Sequence, residues 1–305
     1  MDKHNYKLWK ESIMELRVLR YFLAVVQEKN ITKAAEKLLI SQPALSKQLS
    51  DLEDELGTKL FIRGHRQITL TSEGQYLNTK AEEMVKLAKK ISANIQSNQI
   101  ISGDLTIGAG ESIGMKRILD VLGNISQDYP DVKTHLISGD ANEMEKSLNN
   151  GTLDFAVFMG ERDLDDFNYL QMPETDHWGV IMREDALLAN KEVIEPKDLL
   201  NLPLLVSSQA LSSHRFDNWW GNLGPEMNIT GTFTLAYNAE LLVQSSHSYM
   251  LTFDHLLNRN NVQNLIFRPI SPQIIEPITV VWKKNTVLSK VSQLFIKRLK
   301  ASLQK

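Results

Sequence analysis

In the N-terminal third of the chain, apolar residues recur at spacings of three and four; beyond it, short apolar runs alternate with amphipathic stretches. The first pattern is that of helices packed on one face, the second that of strands alternating with helices. Leu16 to Glu28 predicts a helix that turns Leu16, Leu19, Phe22, Leu23 and Val26 inward. Residues 31 to 56, ITKAAEKLLISQPALSKQLSDLEDEL, predict two helices joined by a turn. In the first, Thr32 can serve as N-cap, Ala34 and Ala35 permit close helix approach, Leu38 and Leu39 face inward, and Ile40 fills the turn. The second opens on Ser41-Gln42-Pro43. A serine there caps an orphan amide, and proline lacks only an N–H that a first turn does not need. Leu45, Leu49, Leu52 and Leu56 define its buried face and leave Gln42, Ser46, Lys47 and Ser50 outside.

Leu60 to Thr71 reads as two short strands around a glycine-containing turn. From Glu73 to about Asn98 runs a long polar helix with Leu77, Ala81, Met84, Ala88, Ile91 and Ile95 on one seam. A heptad seam suits pairing with a second helix; the alternative is a single helix lying on its own domain. After a hinge at Ser102-Gly103, strands are expected at Asp104–Gly108, Val132–Ile137 and Asp154–Phe158, with helices at Ile113–Leu122 and Ala141–Asn149. A second group begins after Asp163, with strands at Trp178–Met182, Leu204–Ser207 and Gly231–Ala236 and helices near Phe216–Asn222 and Asn238–Ser245. The strand Ile278–Lys283 and the helix Leu288–Leu303 return to the first group. This alternation means parallel α/β architecture.

The outward residues of the N-terminal third carry chemistry suited to nucleic acid. Gln42, Ser46, Lys47 and Ser50, with Ser41 and Pro43 at the helix start, are placed to touch base edges and phosphates. Thr32 and Lys33, at the start of the preceding helix, suit a phosphate. Arg63, His65 and Arg66 in the hairpin turn, with Lys59 just before it, would lie along the backbone as a wing. The plainer alternative is a helical hairpin with a solvated face.

The stretch AAEKLLISQPALSKQLSDLEDELGTKLFIR followed by ITLTSEGQYL resembles the winged helix-turn-helix of the LysR-type transcriptional regulators. DLTIGAGES, NGTLDFAVF and IEPKDLLNLPLLV echo the regulatory half of that family. The fold class the resemblance implies is α + α/β: an N-terminal winged helix-turn-helix, a long linker helix, and a C-terminal two-lobed, periplasmic-binding-protein-like α/β regulatory domain. The expected domains are an N-terminal extension at 1–13, the DNA-binding domain at 14–72, a linker and dimerisation helix at 73–98, and a hinge at 99–103. Lobe I is expected at 104–163 and 268–305, and lobe II at 164–267. The family also implies a dimer, often a tetramer, on a roughly palindromic double-stranded DNA site. Contact with RNA polymerase is a further expected partnership.

Composition changes the picture little. The chain has 305 residues, 42% of them hydrophobic, enough for two or three units with real cores. It has no cysteine, so neither disulfides nor thiolate metal sites are available. No run is long and apolar enough for a membrane helix, and residues 1–13 lack an apolar signal core, so a cytoplasmic location is expected. Charge is more informative: the net −3 conceals 13 Lys/Arg against 10 Asp/Glu in residues 14–98, and 18 against 25 in residues 99–305. The mild N-terminal excess means that DNA affinity depends on where the charges sit and on a second copy.

In open α/β sheets ligands sit at the C-terminal ends of strands, near helix N-termini. Those ends carry Glu111, Ser112, Gly139 and Asp140 in the first lobe and Ser207, Ser208, Tyr237 and Asn238 in the second, which are the expected effector-binding residues. Ser112 and Asn238 have the alternative role of capping their own helices. A small-molecule effector is expected, with no cofactor and no metal. Glu111 is awkward beside an effector carboxylate and could instead select a cationic or neutral effector. Ser245-Ser246-His247-Ser248-Tyr249 stands where many family members have a glycine-rich turn. Gly108 to Gly114 imitates a dinucleotide loop, but its third glycine is one place late. His247 and His255 share no face that would hold a metal, and Trp219-Trp220 fits a helix packed on the lobe. The function expected is an effector-responsive, sequence-specific regulator. An effector-independent DNA-binding adaptor and an α/β enzyme with a DNA-binding head are the alternatives, the last lacking any G-x-S-x-G or Ser-His-Asp motif.

Overall fold

A computed structural model describes residues 14–63, 68–96, 101–256 and 264–304. The chain divides into two compact units, residues 1–95 and 96–305. The expected extension at 1–13 and the wing tip at 64–67 lie outside the described residues, as do hinge positions 99 and 100.

The first unit is built from α1 (Leu16–Glu28), α2 (Ile31–Lys37), α3 (Gln42–Leu56), the antiparallel pair β1 (Phe61–Arg63) and β2 (Ile68–Leu70), and α4 (Ser72–Gln96). Its core joins Leu19, Phe22 and Val25 to Ala34, Ala35, Leu45, Leu49, Leu52 and Leu60. Val18 and Val25 lie at the centre of the α1 stripe, whereas Leu16, Leu23 and Val26 form its half-buried flanks. The N-cap of α2 is Asn30, whose side chain accepts from Lys33 N at 3.1 Å; Thr32 sits two residues later, already inside the helix. Leu39 does not face inward. Its backbone is left-handed (φ 57°), which swings the side chain out to 92% exposure. Leu56, the last residue of α3 before left-handed Gly57, is also exposed.

The α4 seam divides. Leu77 and Ala81 are buried in the core of their own unit together with Val85, so they are not free to face a second helix. Met84 and Ile91 are exposed and Ala88 is half-buried; the Ile95 side chain lies outside the described residues.

The second unit contains, in chain order, β3 (Gly103–Ala109), α5 (Met115–Asp128), β4 (Val132–Ser138), α6 (Ala141–Asn149), β5 (Phe155–Met159) and β6 (Phe167–Arg183). It continues with β7 (Leu204–Ser207), α7 (Ser208–Ser212), α8 (Asp217–Trp220), β8 (Ile229–Phe233), α9 (Ala236–Ser245), β9 (Tyr249–Phe253), β10 (Leu265–Pro269), β11 (Ile275–Lys283) and α10 (Lys290–Ser302). The strand order is β4-β3-β5-β11-β6-β9-β7-β8, with β10 paired to β6. β3 runs parallel to β4 and β5, while β11 closes antiparallel on β5. One core gathers Ile107, Ile118, Phe155, Val280 and Phe295; another gathers Trp178, Val206, Phe216, Trp219 and Leu251.

The pattern reading found only the second half of β6 and missed β9 and β10. β6 is shared: Leu170 and Met172 pack into the first core, Trp178, Val180 and Met182 into the second. Ile270 and Ile274 on the return path still pack in the second. Both cores therefore draw on β6, and the second also on the approach to β11. α5 starts two residues later than expected because Ser112 holds a turn, its hydroxyl accepting from Gly114 N at 2.9 Å.

Candidate DNA interface and ligand cleft

Local geometry fixes α3 at both ends. The Ser41 hydroxyl accepts from Ala44 N at 3.4 Å, and Gly57 closes the helix at φ 65°. Near the C-terminal end, Glu53 is buried at 7% exposure and accepts from Leu60 N (2.8 Å), Phe61 N (3.3 Å) and Lys59 Nζ (2.8 Å). Burial by itself would raise the Glu53 carboxyl, but Lys59 and the two amides outweigh it and hold it below its ordinary range. One side chain thus bolts the start of the β1–β2 hairpin to the helix. Thr71 completes the joint: its hydroxyl donates to Lys59 O at 2.7 Å and accepts from Gly74 N at 2.9 Å. A Cβ on Gly74 would stand 2.2 Å from Leu60 O, so only glycine lets α4 approach that strand.

Gln42, Pro43 and Lys47 are exposed on α3; Ser46 and Ser50 are half-buried beside them. Gln42 Nε2 donates to Ser46 Oγ at 2.7 Å, so one successive turn orients the other. Ser46, Ser50 and Lys59 line a hollow of about 370 Å³ between α3 and the β hairpin. Thr32 and Lys33 are exposed on α2. The Arg63 side chain and residues His65 and Arg66 lie outside the described residues.

In the second unit a cleft of about 620 Å³ runs between the two lobes. Glu111, Gly139 and Ser207 of the expected effector residues line it, and Ser112 and Tyr237 line an adjoining hollow of about 390 Å³. The other three sit elsewhere. Asp140 caps α6, accepting from Glu143 N at 2.9 Å; Ser208 donates to Phe233 O at 3.1 Å; Asn238 is exposed on α9. Neither Ser112 nor Asn238 is a helix cap.

Two helix N-termini face each other across the cleft, and each is occupied from the opposite lobe. The Glu111 carboxylate accepts from Ala236 N at the start of α9. Gln209 Oε1 accepts from Ala141 N at the start of α6, at 3.0 Å. Helix N-termini are natural carboxylate sites, so both such positions are filled by protein groups. The basic side chains lining the cleft are also matched: Arg162 with Glu145 at 2.7 Å, Arg215 with Glu276, and His214 Nδ1 with Asp217 Oδ2 at 3.0 Å. Glu276 also accepts from Trp178 Nε1 at 2.6 Å.

Pattern reading missed Arg215, Glu276 and Glu240. Only Glu240 had a signal, as a carboxylate on the Ala236–Val243 apolar face of a helix. Two of the buried carboxyls at the seam of the lobes are held above their ordinary range. Asp176, in register with Glu276 across the β6–β11 pair, is raised to about 6 by burial and by Asp254 and Glu276, against the Ser112 hydrogen bond and His255. Glu240 is raised to about 7 by burial and the Glu111 charge.

The suspected anomalies resolve as packing. A Cβ on Gly108 would meet Met144 Sδ at 2.2 Å and one on Gly114 would meet Ile278 Cδ1 at 2.0 Å, so these glycines serve close packing. The 245–249 turn contains no left-handed residue, which is why it does without glycine. Trp219 and Trp220 are buried in the second core. Among the described residues no His/Cys/Asp/Glu group could hold a metal, and no helix is long and apolar enough to cross a membrane.

The family model "LysR substrate binding domain" matches residues 98–304, and "Bacterial regulatory helix-turn-helix protein, lysR family" matches residues 16–75. The Hca operon transcriptional activator HcaR of Escherichia coli (strain K12) is 29% identical over 278 residues, 89% of this chain and 93% of that protein. The HTH-type transcriptional regulator BenM of Acinetobacter baylyi is 34% identical over 148 residues, 46% of each. The solved structure of full-length CbnR complexed with its target DNA matches with a TM-score of 0.74 at 18% identity, covering 95% of this chain and 100% of that one.

Proposed function

The chain belongs to the LysR family of bacterial regulatory helix-turn-helix proteins, and from that premise we propose how its residues divide the work. It is a DNA-binding transcriptional regulator with a substrate-binding domain, not an enzyme. In our reading α3 enters the major groove, with Gln42 and Ser46 at base edges and Lys47 and Ser50 at base or phosphate. Ser41 and Pro43 set the start of that helix, and Thr32, Lys33, Arg63, His65 and Arg66 flank it on phosphates. Met84, Ala88, Ile91 and Ile95 of α4 pair two copies, Leu77 and Ala81 having been taken by the local core. Two such pairs make the tetramer, which is placed to contact RNA polymerase at a promoter.

The observation that carries the DNA assignment is the outward Gln42–Ser46–Lys47 face of α3, pre-oriented by the Gln42–Ser46 hydrogen bond. A small-molecule effector would bind between the lobes, where Glu111, Gly139 and Ser207 meet Gln209 and Arg215. It acts by favouring one lobe arrangement over another, which requires unequal affinity for the two. One observation favours a second reading, an effector-independent DNA-binding adaptor: Glu111 and Gln209 already tie the lobes together with protein groups. Genome-wide footprinting of the full chain tests the main reading. Discrete promoter sites with half-sites about 34 Å or a multiple apart are expected; their absence at both low and physiological salt would overturn it.

A further inference from the structure

The hollow of about 390 Å³ beside the interlobe cleft is unlike the cleft itself. Its walls are apolar, supplied by Met115 and Leu119 of α5, Leu136 and Ile137 of β4, and Leu256. One fully enclosed charged side chain reaches it: Glu240 of α9, 2% exposed, whose Oε1 has no hydrogen-bond partner. A buried carboxylate oxygen left unmatched costs free energy that a donor in the hollow would recover. The second carboxylate at the rim, Glu111, accepts from Ala236 N at the start of α9 and, being a like charge, cannot serve as the partner of Glu240. A largely apolar chamber with a few convergent polar groups, here Ser112, Ser138, Tyr237 and Glu240, is the usual form of a small-molecule site.

We propose that this hollow is a second ligand site, and that it takes an organic cation: a protonated amine on an apolar body, with the ammonium on Glu240 Oε1 and the body against Met115, Leu119 and Leu136. An anionic ligand is disfavoured there by both carboxylates, and a neutral apolar one leaves Glu240 unmatched. Burial and the Glu111 charge already push the Glu240 carboxyl up to about 7, the strain expected of an acid that lacks its counter-charge. The hollow and the cleft share only Gly110, Glu111, Ala236 and Leu256 of their linings, so residues lining one alone report on each separately.

The test uses the full chain and three matched probes: n-hexylammonium, n-hexanol and hexanoate. Binding is followed by thermal stabilisation and by the methyl resonances of methionine, with Met115 reporting the hollow and Met159 the cleft. Hexylammonium is expected to bind about tenfold or more tighter than hexanol, as a charge-assisted hydrogen bond implies, with hexanoate weakest and Met115 moving while Met159 stays. Glu240→Gln, which keeps the shape and removes the charge, is expected to bring the ammonium to the level of the alcohol. Equal binding of ammonium and alcohol, an unchanged preference in Glu240→Gln, or no binding at all would overturn the site. Movement of Met159 alone would overturn it too, while leaving a ligand in the cleft.

Discussion

Glu53 in the DNA-binding unit and Glu240 in the regulatory unit are both enclosed carboxylates, 7% and 2% exposed, and their surroundings are opposite. Glu53 accepts from two amides and a lysine and is held below its ordinary range. Glu240 has an unmatched oxygen and a like charge nearby, and is raised to about 7. Asp176 repeats the second situation at the seam of the lobes, with Oδ2 unmatched. A reading head must present one fixed face, so its buried charge is fully answered. A ligand-responsive domain gains from groups whose partners are supplied from outside, since only unequal interaction with two states can shift their populations.

The largest effect expected from breaking this comparison comes from Glu53→Ala. It strands the amides of Leu60 and Phe61 and should destabilise the first unit by about 3 kcal/mol. Hydrogen exchange across residues 16–85 of the full chain checks this; a change below about 1 kcal/mol would mean that the carboxylate is ornamental. Glu240→Gln should do the reverse in the second unit and stabilise it by about 1 kcal/mol, because a buried charge without a partner is removed. Urea unfolding of the full chain reads that difference, and destabilisation would show that the charge already has a partner.

Acidification sharpens the contrast. Asp176 and Glu240 hold their protons more tightly folded than unfolded, so their ionisation penalises the fold at neutral pH. That penalty is relieved as pH falls from about 7 towards 4.5 for Glu240 and from about 6 towards 3.8 for Asp176. Glu53 runs the other way: its contribution is present above its ordinary value of 4.5 and is lost as pH falls through its lowered one. Between about pH 7.5 and about pH 5, protection in the second unit should rise while that in the first stays level, once intrinsic exchange is corrected for. The smallest effect is that of Lys47→Ala. It should leave stability unchanged, weaken DNA binding, and lower the slope of log affinity against log salt by about 1 if Lys47 meets a phosphate. An unchanged slope would remove that role.

The helix-turn-helix was legible because its signals are local. The Ser41 cap, the Pro43 start and the leucine spacing of α3 each need only a few neighbouring residues. The errors there are also local: Asn30 outcompetes Thr32 as cap, and the left-handed turns at Leu39 and Gly57 release two leucines that periodicity had placed inside. The α4 seam misled because a heptad pattern does not say which partner covers it, and Leu77 and Ala81 are covered by their own unit. In the second unit the alternation of strands and helices was readable, but the cleft was not. Glu111 lies 125 residues from the amide it caps, and Ser112 lies 64 from Asp176. Gln209, Arg215 and Glu276 acquire roles only when β6 and β11 bring the lobes together.

The most direct measurement is a site-resolved carbon NMR titration of the Glu53, Asp176 and Glu240 carboxyls in the full chain. The contrast between a satisfied reading head and a poised regulatory unit predicts midpoints near 7 for Glu240, near 6 for Asp176 and below 4.5 for Glu53. Three carboxyls titrating together in the ordinary carboxylate range would contradict it.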